Sequence, residues 1–144
     1  MPLAGDYEPS SVDWVRAEVE HLERTGGSAW RDRQVVLLTT VGARTGRLRK
    51  TPLMRVEHDG AYALVASMGG APKHPVWYWN LKSDAMAVMI QDGPEPFLAD
   101  VRELTGDEKA LWWERAVAAF PPYAEYQQRT ERLIPVFVAH RRDA

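Results

Sequence analysis

Apolar residues recur at helical spacing near the start of the chain and at strand spacing through most of its remainder. In residues 10–25, Val12, Val15, Val19 and Leu22 share one face, Ser10 or Ser11 stands where a cap belongs, and Gly26-Gly27 stops the run. An amphipathic helix is predicted there. Its more polar positions hold Asp13, Glu18, Glu20 and Glu23. That acidic face argues for packing against the domain's own core rather than docking on an anionic bilayer. Residues 35–41 are mostly apolar and β-branched, which predicts a strand buried on at least one face. A glycine-bounded loop occupies 42–46, and residues 49–57 resume in extended form. His58-Asp59-Gly60 then makes a hairpin turn, because Asp-Gly supplies the positive φ that such turns require. Residues 61–67 complete an antiparallel meander of three strands.

Gly69-Gly70 and Pro72 break that strand, and Pro75 suits the first turn of a helix over about 74–82. Residues 85–91 and 97–104 read as two strands around the turn Asp92-Gly93-Pro94. Thr105-Gly-Asp-Glu108 matches a capping box for a helix that reaches Phe120. Pro121-Pro122 ends it, a second short helix carries Tyr123 and Tyr126, and residues 134–139 form the last strand. No internal repeat, linker or low-complexity tract interrupts this order. The expectation is one α+β domain over residues 1–144, in which about six mostly antiparallel strands curl into a barrel with peripheral helices.

Composition narrows the chemistry. With 144 residues, 45% hydrophobic and 26% charged, the chain suits one soluble globule that buries about two thirds of its unfolded surface. Cysteine is absent, which excludes disulfides, a thiolate nucleophile and cysteine-ligated metal. His21, His58, His74 and His140 show no metal-ligand spacing, so no metal site is expected. Residues 1–9 lack the pattern of a signal peptide, and no run approaches the ~18 apolar residues of a membrane span. A cytoplasmic protein without a transmembrane segment is expected.

Net charge is −2, yet residues 33–83 hold Arg33, Arg44, Arg47, Arg49, Lys50, Arg55, Lys73 and Lys82 against Glu57 and Asp59. That surplus of six leaves −8 for the remainder. A positive middle in an acidic protein marks a local anion-binding region, or else an evenly solvated set of surface cations.

Three segments carry candidate chemistry. Gly42-Ala-Arg-Thr-Gly46, followed by Arg47, Arg49 and Lys50, combines backbone freedom with guanidinium and hydroxyl donors, which suits phosphate or carboxylate. The same residues also fit a plain β-turn with exposed cations, and the spacing is not that of a Walker loop. Ser67-Met-Gly-Gly-Ala71, with Lys73 and His74 beyond, lets a ligand approach the backbone closely, or serves as a tight connection. Trp77-Tyr78-Trp79 and the pair Tyr123 and Tyr126 offer flat faces, or core filling. No hydrolase elbow, dinucleotide fingerprint or nucleic-acid-reading module is visible.

Together, Leu37-Leu-Thr-Thr-Val-Gly-Ala-Arg-Thr-Gly-Arg-Leu-Arg-Lys-Thr-Pro-Leu53, Ala66-Ser-Met-Gly-Gly-Ala71, His74-Pro-Val-Trp-Tyr-Trp-Asn-Leu-Lys82, Phe120-Pro-Pro-Tyr-Ala-Glu-Tyr126 and Arg132-Leu-Ile-Pro-Val136 resemble the deazaflavin-dependent nitroreductase family of actinobacteria. The likeness spans roughly residues 35–138 and leaves the first helix outside. It implies a split β-barrel of the FMN-binding type that binds coenzyme F420 and passes hydride to quinones, enones or nitroaromatics. By resemblance, Arg44, Thr45, Arg49 and Lys50 hold the cofactor's anionic tail, and Pro52, Leu53 and Met54 line the deazaflavin approach. Ser67, Met68, Gly70, Ala71 and Lys73 belong to the turn against ring or tail, Val76 and Trp77 flank the ring, and Tyr126, then Tyr123, face the substrate as catalytic residues. Met68 stands where the resemblance leads one to expect a lysine, and Phe120 where a third tyrosine is expected. The alternatives are an FMN enzyme on the same barrel or a non-catalytic cofactor carrier. A small-molecule acceptor is the expected partner, nucleic acid is not, and the chain is a monomer or homodimer.

Overall fold

The apolar run after Arg33 forms a strand covered on both faces. The computed structural model describes residues 3, 5–27, 29–30 and 33–142. In chain order it contains α1 (Asp13–Thr25), β1 (Ala29–Trp30), β2 (Arg33–Val41), β3 (Leu48–Met54), β4 (Glu57–His58), β5 (Ala61–Val65), a 3-10 turn (Met68–Gly70), α2 (Val76–Ser83), β6 (Val88–Gln91), β7 (Pro96–Glu103), α3 (Gly106–Ala119), α4 (Pro122–Arg129) and β8 (Val136–Arg141). Of the expected 1–144 span, Met1, Pro2, Ala4, Ser28, Arg31, Asp32, Asp143 and Ala144 lie outside the described residues.

Side chains alternate across a strand, so a strand with no polar interruption needs cover on two sides. In β2, Val36 and Leu38 join an inner cluster with Leu64, Ile90 and Phe137, while Val35 and Leu37 pack with Val19 and Leu22 of α1. β5 and β8 repeat the arrangement. Tyr62, Leu64, Phe137 and Ala139 point inward, and Ala61, Ala63, Val65, Val136 and Val138 meet Trp112, Ala116 and Tyr123 of α3 and α4. α2 adds Trp77, Tyr78 and Leu81 to the inner cluster.

All strand pairs are antiparallel, in the order β1-β2-β6-β7-β8-β5-β4, with β3 also paired to β2. β3 and β4 are two parts of one bent stretch. Its first part pairs with β2 and its last with β5. At the bend, Arg55 N donates to Gln34 O (3.0 Å) and Ala63 N donates to Val56 O (2.9 Å). This stretch joins the two ends of the sheet, so the strands form a split β-barrel. Past the junction β3 and β5 diverge, and the split opens between them. The Asp-Gly hairpin forms as expected, with Asp59 at φ 51° and Gly60 at φ 82°.

Several local expectations are corrected. α1 begins at Asp13 rather than within 10–12: Val12 is extended and exposed, and Ser10 Oγ accepts from Val12 N (3.1 Å) instead of capping the helix. Glu18, expected on the polar face, is 2% exposed, because α1 packs across β3 as well as β2. Pro75 is the residue before α2, with extended ψ of 158°, rather than in its first turn. The capping box at Thr105 does not form. The Glu108 carboxylate instead accepts from Arg102 Nη1 of β7 (2.7 Å). β6 starts at Val88, after a turn in which Ala87 N donates to Asp84 O, and β8 runs from Val136 to Arg141, after Pro135.

Candidate functional site

A cleft of about 630 Å³ occupies the split. Arg49, Lys50, Thr51, Pro52, Leu53 and Met54 of β3 form one wall. Val65, Ser67, Met68 and Gly69, where β5 runs out, form the wall opposite. Pro75, Val76, Trp77 and Asn80 come from the start of α2, and Phe120, Tyr123 and Tyr126 from the α3–α4 corner. Ser10, Trp14, Val15 and Glu18 reach it from the α1 region, beside Arg33 and Val35 of β2.

Of the residues singled out from sequence, Arg49, Lys50, Pro52, Leu53, Met54, Ser67, Met68, Val76, Trp77, Tyr123 and Tyr126 line this one cleft. Arg44, Thr45, Gly70, Ala71 and Lys73 do not. Arg44 and Thr45 lie exposed at the tip of the β2–β3 hairpin, where Thr45 Oγ1 accepts from Arg47 N (3.1 Å). Asn80, buried at 3% exposure, ties that tip to the cleft: its Oδ1 accepts from Ala43 N (2.9 Å) and its Nδ2 donates to Thr40 Oγ1 (3.1 Å). Gly70 sits behind the wall, and a Cβ there would stand 2.7 Å from the Tyr126 carbonyl oxygen. Lys73 is exposed.

The 3-10 turn is tightly wound. Met68, Gly69 and Gly70 all have positive φ, at 46°, 65° and 82°. Gly70 N donates to Ser67 O (2.9 Å) and Ala71 N to Met68 O (3.1 Å). Only glycine takes such angles without strain, which is why the pair Gly69-Gly70 is required here; Met68 adopts one at a cost.

Two of the three cations that line the cleft, Arg49 and Lys50, already face acids. Arg49 pairs with Glu8 (2.9 Å), and Lys50 pairs with Glu23 of α1 and lies 4.6 Å above the Tyr7 ring. Elsewhere in the basic middle, Arg55 pairs with Asp92 and Lys82 with Glu103. Arg33, Arg44, Arg47 and Lys73 make no ion pair among the described residues. The local surplus of positive charge is therefore partly offset by acids brought in from the rest of the chain.

The aromatic corner brings three cleft-lining rings together, with Trp113 6.2 Å from Tyr123 behind them. Phe120 lies 5.0 Å from Tyr123 and 6.1 Å from Tyr126, and the two tyrosine rings are 6.1 Å apart. Tyr123 is 4% exposed, and burial, with Tyr126 adding to it, pushes its phenol well above the ordinary range. The shift keeps the phenol in its protonated form at neutral pH. Tyr126 is half-buried, with the Arg129 guanidinium 5.4 Å over its ring. Trp77 is both core and cleft: it is 5% exposed and packs 6.0 Å from Phe137.

Sequence reasoning missed Trp14, Val15, Glu18, Thr51, Pro75 and Asn80. Helical spacing put Glu18 on the polar side of α1, so it gave no signal for this residue. Asn80 was legible as a lone amide in the apolar run Val76-Trp-Tyr-Trp-Asn-Leu81. Among the described residues, no group of three His, Asp or Glu could hold a metal ion. The site's chemistry is cationic at β3, apolar along Pro52–Met54 and Trp77, and phenolic at α4. That suits an organic ligand with an anionic arm and a flat ring.

The family model described as F420H(2)-dependent quinone reductase matches residues 14–141. It takes in α1, which the sequence resemblance left outside. An F420H(2)-dependent quinone reductase of Mycobacterium tuberculosis is 40% identical over 110 residues, covering 74% of this chain and 73% of that one. A solved structure of an F420-H2 dependent reductase is 54% identical, covers 74% of this chain and 93% of its own, and superposes with a TM-score of 0.69. Another, described as a domain-swapped dimer, is 52% identical, covers 91% of this chain and all of its own, and has a TM-score of 0.72.

Proposed function

The chain belongs to the F420H(2)-dependent quinone reductase family, and from that premise we propose that its cleft binds reduced coenzyme F420 and uses it to reduce quinones, with enones and nitroaromatics as further acceptors. It is a reductase of the F420H2-dependent type. One observation carries the reading. The split of the barrel brings Arg49 and Lys50, the glycine-bearing turn at Ser67, and Tyr126 onto a single cavity.

The residues present fit the cofactor. Arg49 and Lys50 supply charge for a phosphate and carboxylate tail, and Gly69 lets a ring approach the backbone without a side chain between. Leu53, Met54 and Trp77 offer an apolar face for a tricycle. When bound, the reduced deazaflavin supplies a hydride from its C5 position. The chain's part is orientation and protonation. The β3 and α2 walls would hold two reactants together and exclude water, which lowers the barrier to transfer between them. Tyr126, the more accessible phenol, would donate a hydrogen bond to negative charge developing on the acceptor oxygen. Tyr123, deeper and firmly protonated, supports it. Arg44 and Thr45, at the hairpin tip, would reach only the far end of a long anionic tail.

Competitive titration with F420 and FMN at two salt concentrations tests this. Tighter F420 binding that weakens with salt is expected, followed by oxidation of F420H2 when a quinone is added. Preference for FMN would overturn the cofactor assignment. Bound F420H2 that no quinone, enone or nitroaromatic oxidises would make the protein a carrier. Among the described residues no helix is long and apolar enough to cross a membrane, and a cytoplasmic location follows from this reading. Homodimerisation, suggested by the domain-swapped neighbour, is checked by light scattering on the eluted protein.

A further inference from the structure

Arg132, in the link between α4 and β8, uses its guanidinium in an unusual way for a surface-adjacent cation. It makes no ion pair among the described residues. Instead Nε donates to Ala71 O (2.8 Å), Nη1 to Ala66 O (3.1 Å) and Nη2 to Ser67 O (2.8 Å). Nη1 also lies 3.1 Å from His74 Nδ1. Arginine has no acceptor, so Nδ1 accepts and the ring carries its proton on Nε2. Three carbonyls and an imidazole from the single stretch 66–74 thus converge on one planar fork, a geometry that the single nitrogen of lysine cannot reproduce.

The other end of Arg132 is tied to α4. Its carbonyl accepts from Gln127 Nε2 (2.8 Å), its amide donates to Thr130 Oγ1 (3.3 Å), and Gln127 Oε1 accepts from Ile134 N (3.0 Å). Gln127 comes directly after Tyr126, and the Tyr126 carbonyl is the atom that leaves no room for a side chain at Gly70. The turn that forms one wall of the cleft and the helix that carries its phenol are therefore fastened to each other through one residue.

We propose that Arg132 is a positioning residue of the reductase, setting the spacing between the Ser67–Gly69 wall and Tyr126. It touches neither cofactor nor acceptor, and it acts on hydride transfer by keeping both in register. The proposal rests on the reductase function for its effect on turnover, and on geometry alone for its effect on the turn.

Arg132→Lys and Arg132→Ala test it with two readouts. In the protein without cofactor, amide exchange at Gly70 and Ala71, which donate to Ser67 O and Met68 O, is expected to accelerate locally in both variants, and the 15N shift of His74 Nδ1 to move away from that of an acceptor. With F420H2 and a quinone, kcat is expected to fall by about tenfold to a hundredfold, the scale on which small misplacements act, with a smaller change in the quinone KM. Guanidinium ion added to Arg132→Ala is expected to restore part of it. Arg132→Lys keeps charge and stem, so it serves if the alanine variant does not fold. Unchanged exchange at the turn, or exchange that rises evenly over the whole chain with kcat tracking only the folded fraction, would overturn the proposal. A wild-type protein that does not bind F420 would end the functional reading, and the exchange data would still decide the role of Arg132.

Discussion

At the scale of single residues, the proposed function divides the cleft into groups that would hold the cofactor and a phenol that would serve the reaction. Tyr126→Phe keeps the ring against Phe120 and Tyr123 but removes the only phenol of the pair that is half-exposed. Turnover with a quinone is expected to fall by up to about a hundredfold, while the F420 dissociation constant stays close to wild type in a fluorescence titration. Unchanged turnover would remove Tyr126 from the mechanism and leave solvent as the proton source. Gly70→Ala has the opposite profile. Its φ of 82° and the 2.7 Å approach to Tyr126 O mean that even a methyl group strains the turn. A loss of about 1–3 kcal/mol of stability is expected, read from the denaturant midpoint, with weaker cofactor binding alongside. Residue chemistry was the most legible layer in the sequence for Arg49, Lys50, Ser67 and the tyrosines. What sequence did not disclose was partnership. The pairing of Arg49 with Glu8 and of Lys50 with Glu23 depends on a tertiary approach that no local spacing encodes.

At the scale of elements, the connection between β5 and α2 carries a titrating group. His74 stacks on Tyr78 (4.2 Å) and accepts from Arg132. Burial, with the Arg132 charge adding to it, lowers its pKa from the ordinary 6.5, and Glu103 opposes the shift. A histidine whose folded pKa is depressed contributes stability in its neutral form. That contribution is complete above 6.5 and is lost as pH falls through the folded value. The melting temperature is expected to drop on acidification below pH 6.5 more steeply in the wild type than in His74→Gln. Parallel profiles would assign the acid sensitivity to other groups. The elements themselves were largely legible. Six strands in order, the Asp-Gly hairpin and the two-helix corner came out of periodicity and turn chemistry. The ends were less so, because Glu108 prefers Arg102 to a cap and Pro75 holds extended backbone. Burial of Glu18 was hidden for a related reason: helical spacing shows one apolar face, and it does not show that a second strand crosses the flank.

At the scale of the whole molecule, closure of the barrel depends on the bend at Arg55 and Val56. Asp92, on the β6–β7 turn, accepts from Arg55 Nε (2.9 Å) and from the Tyr62 hydroxyl (2.6 Å), so it clasps the bend to β5. Tyr62 is pushed up to about 12 by burial and by this carboxylate. Asp92→Ala would leave both donors without their acceptor, and a loss of about 1–3 kcal/mol is expected, measured by urea unfolding. A smaller loss would mean that the ring is held by its backbone pairs alone. Barrel topology was read from strand count and order. That its two ends meet in one bent stretch was not, since residues 49–57 read as one continuous extended segment in the sequence.

Beyond Leu48, where Asp6 and Glu8 bond to it, the split that makes the cleft leaves the β5-facing side of β3 without a neighbouring strand, and such an edge is usually a template on which another chain can add. Pro52 stands in the middle of that edge with no N–H to offer, which is where proline is tolerated in a sheet. The opening that admits a ligand is thereby guarded against amyloid-like recruitment, and Pro52→Val is expected to scatter more light on prolonged warming than the parent protein does.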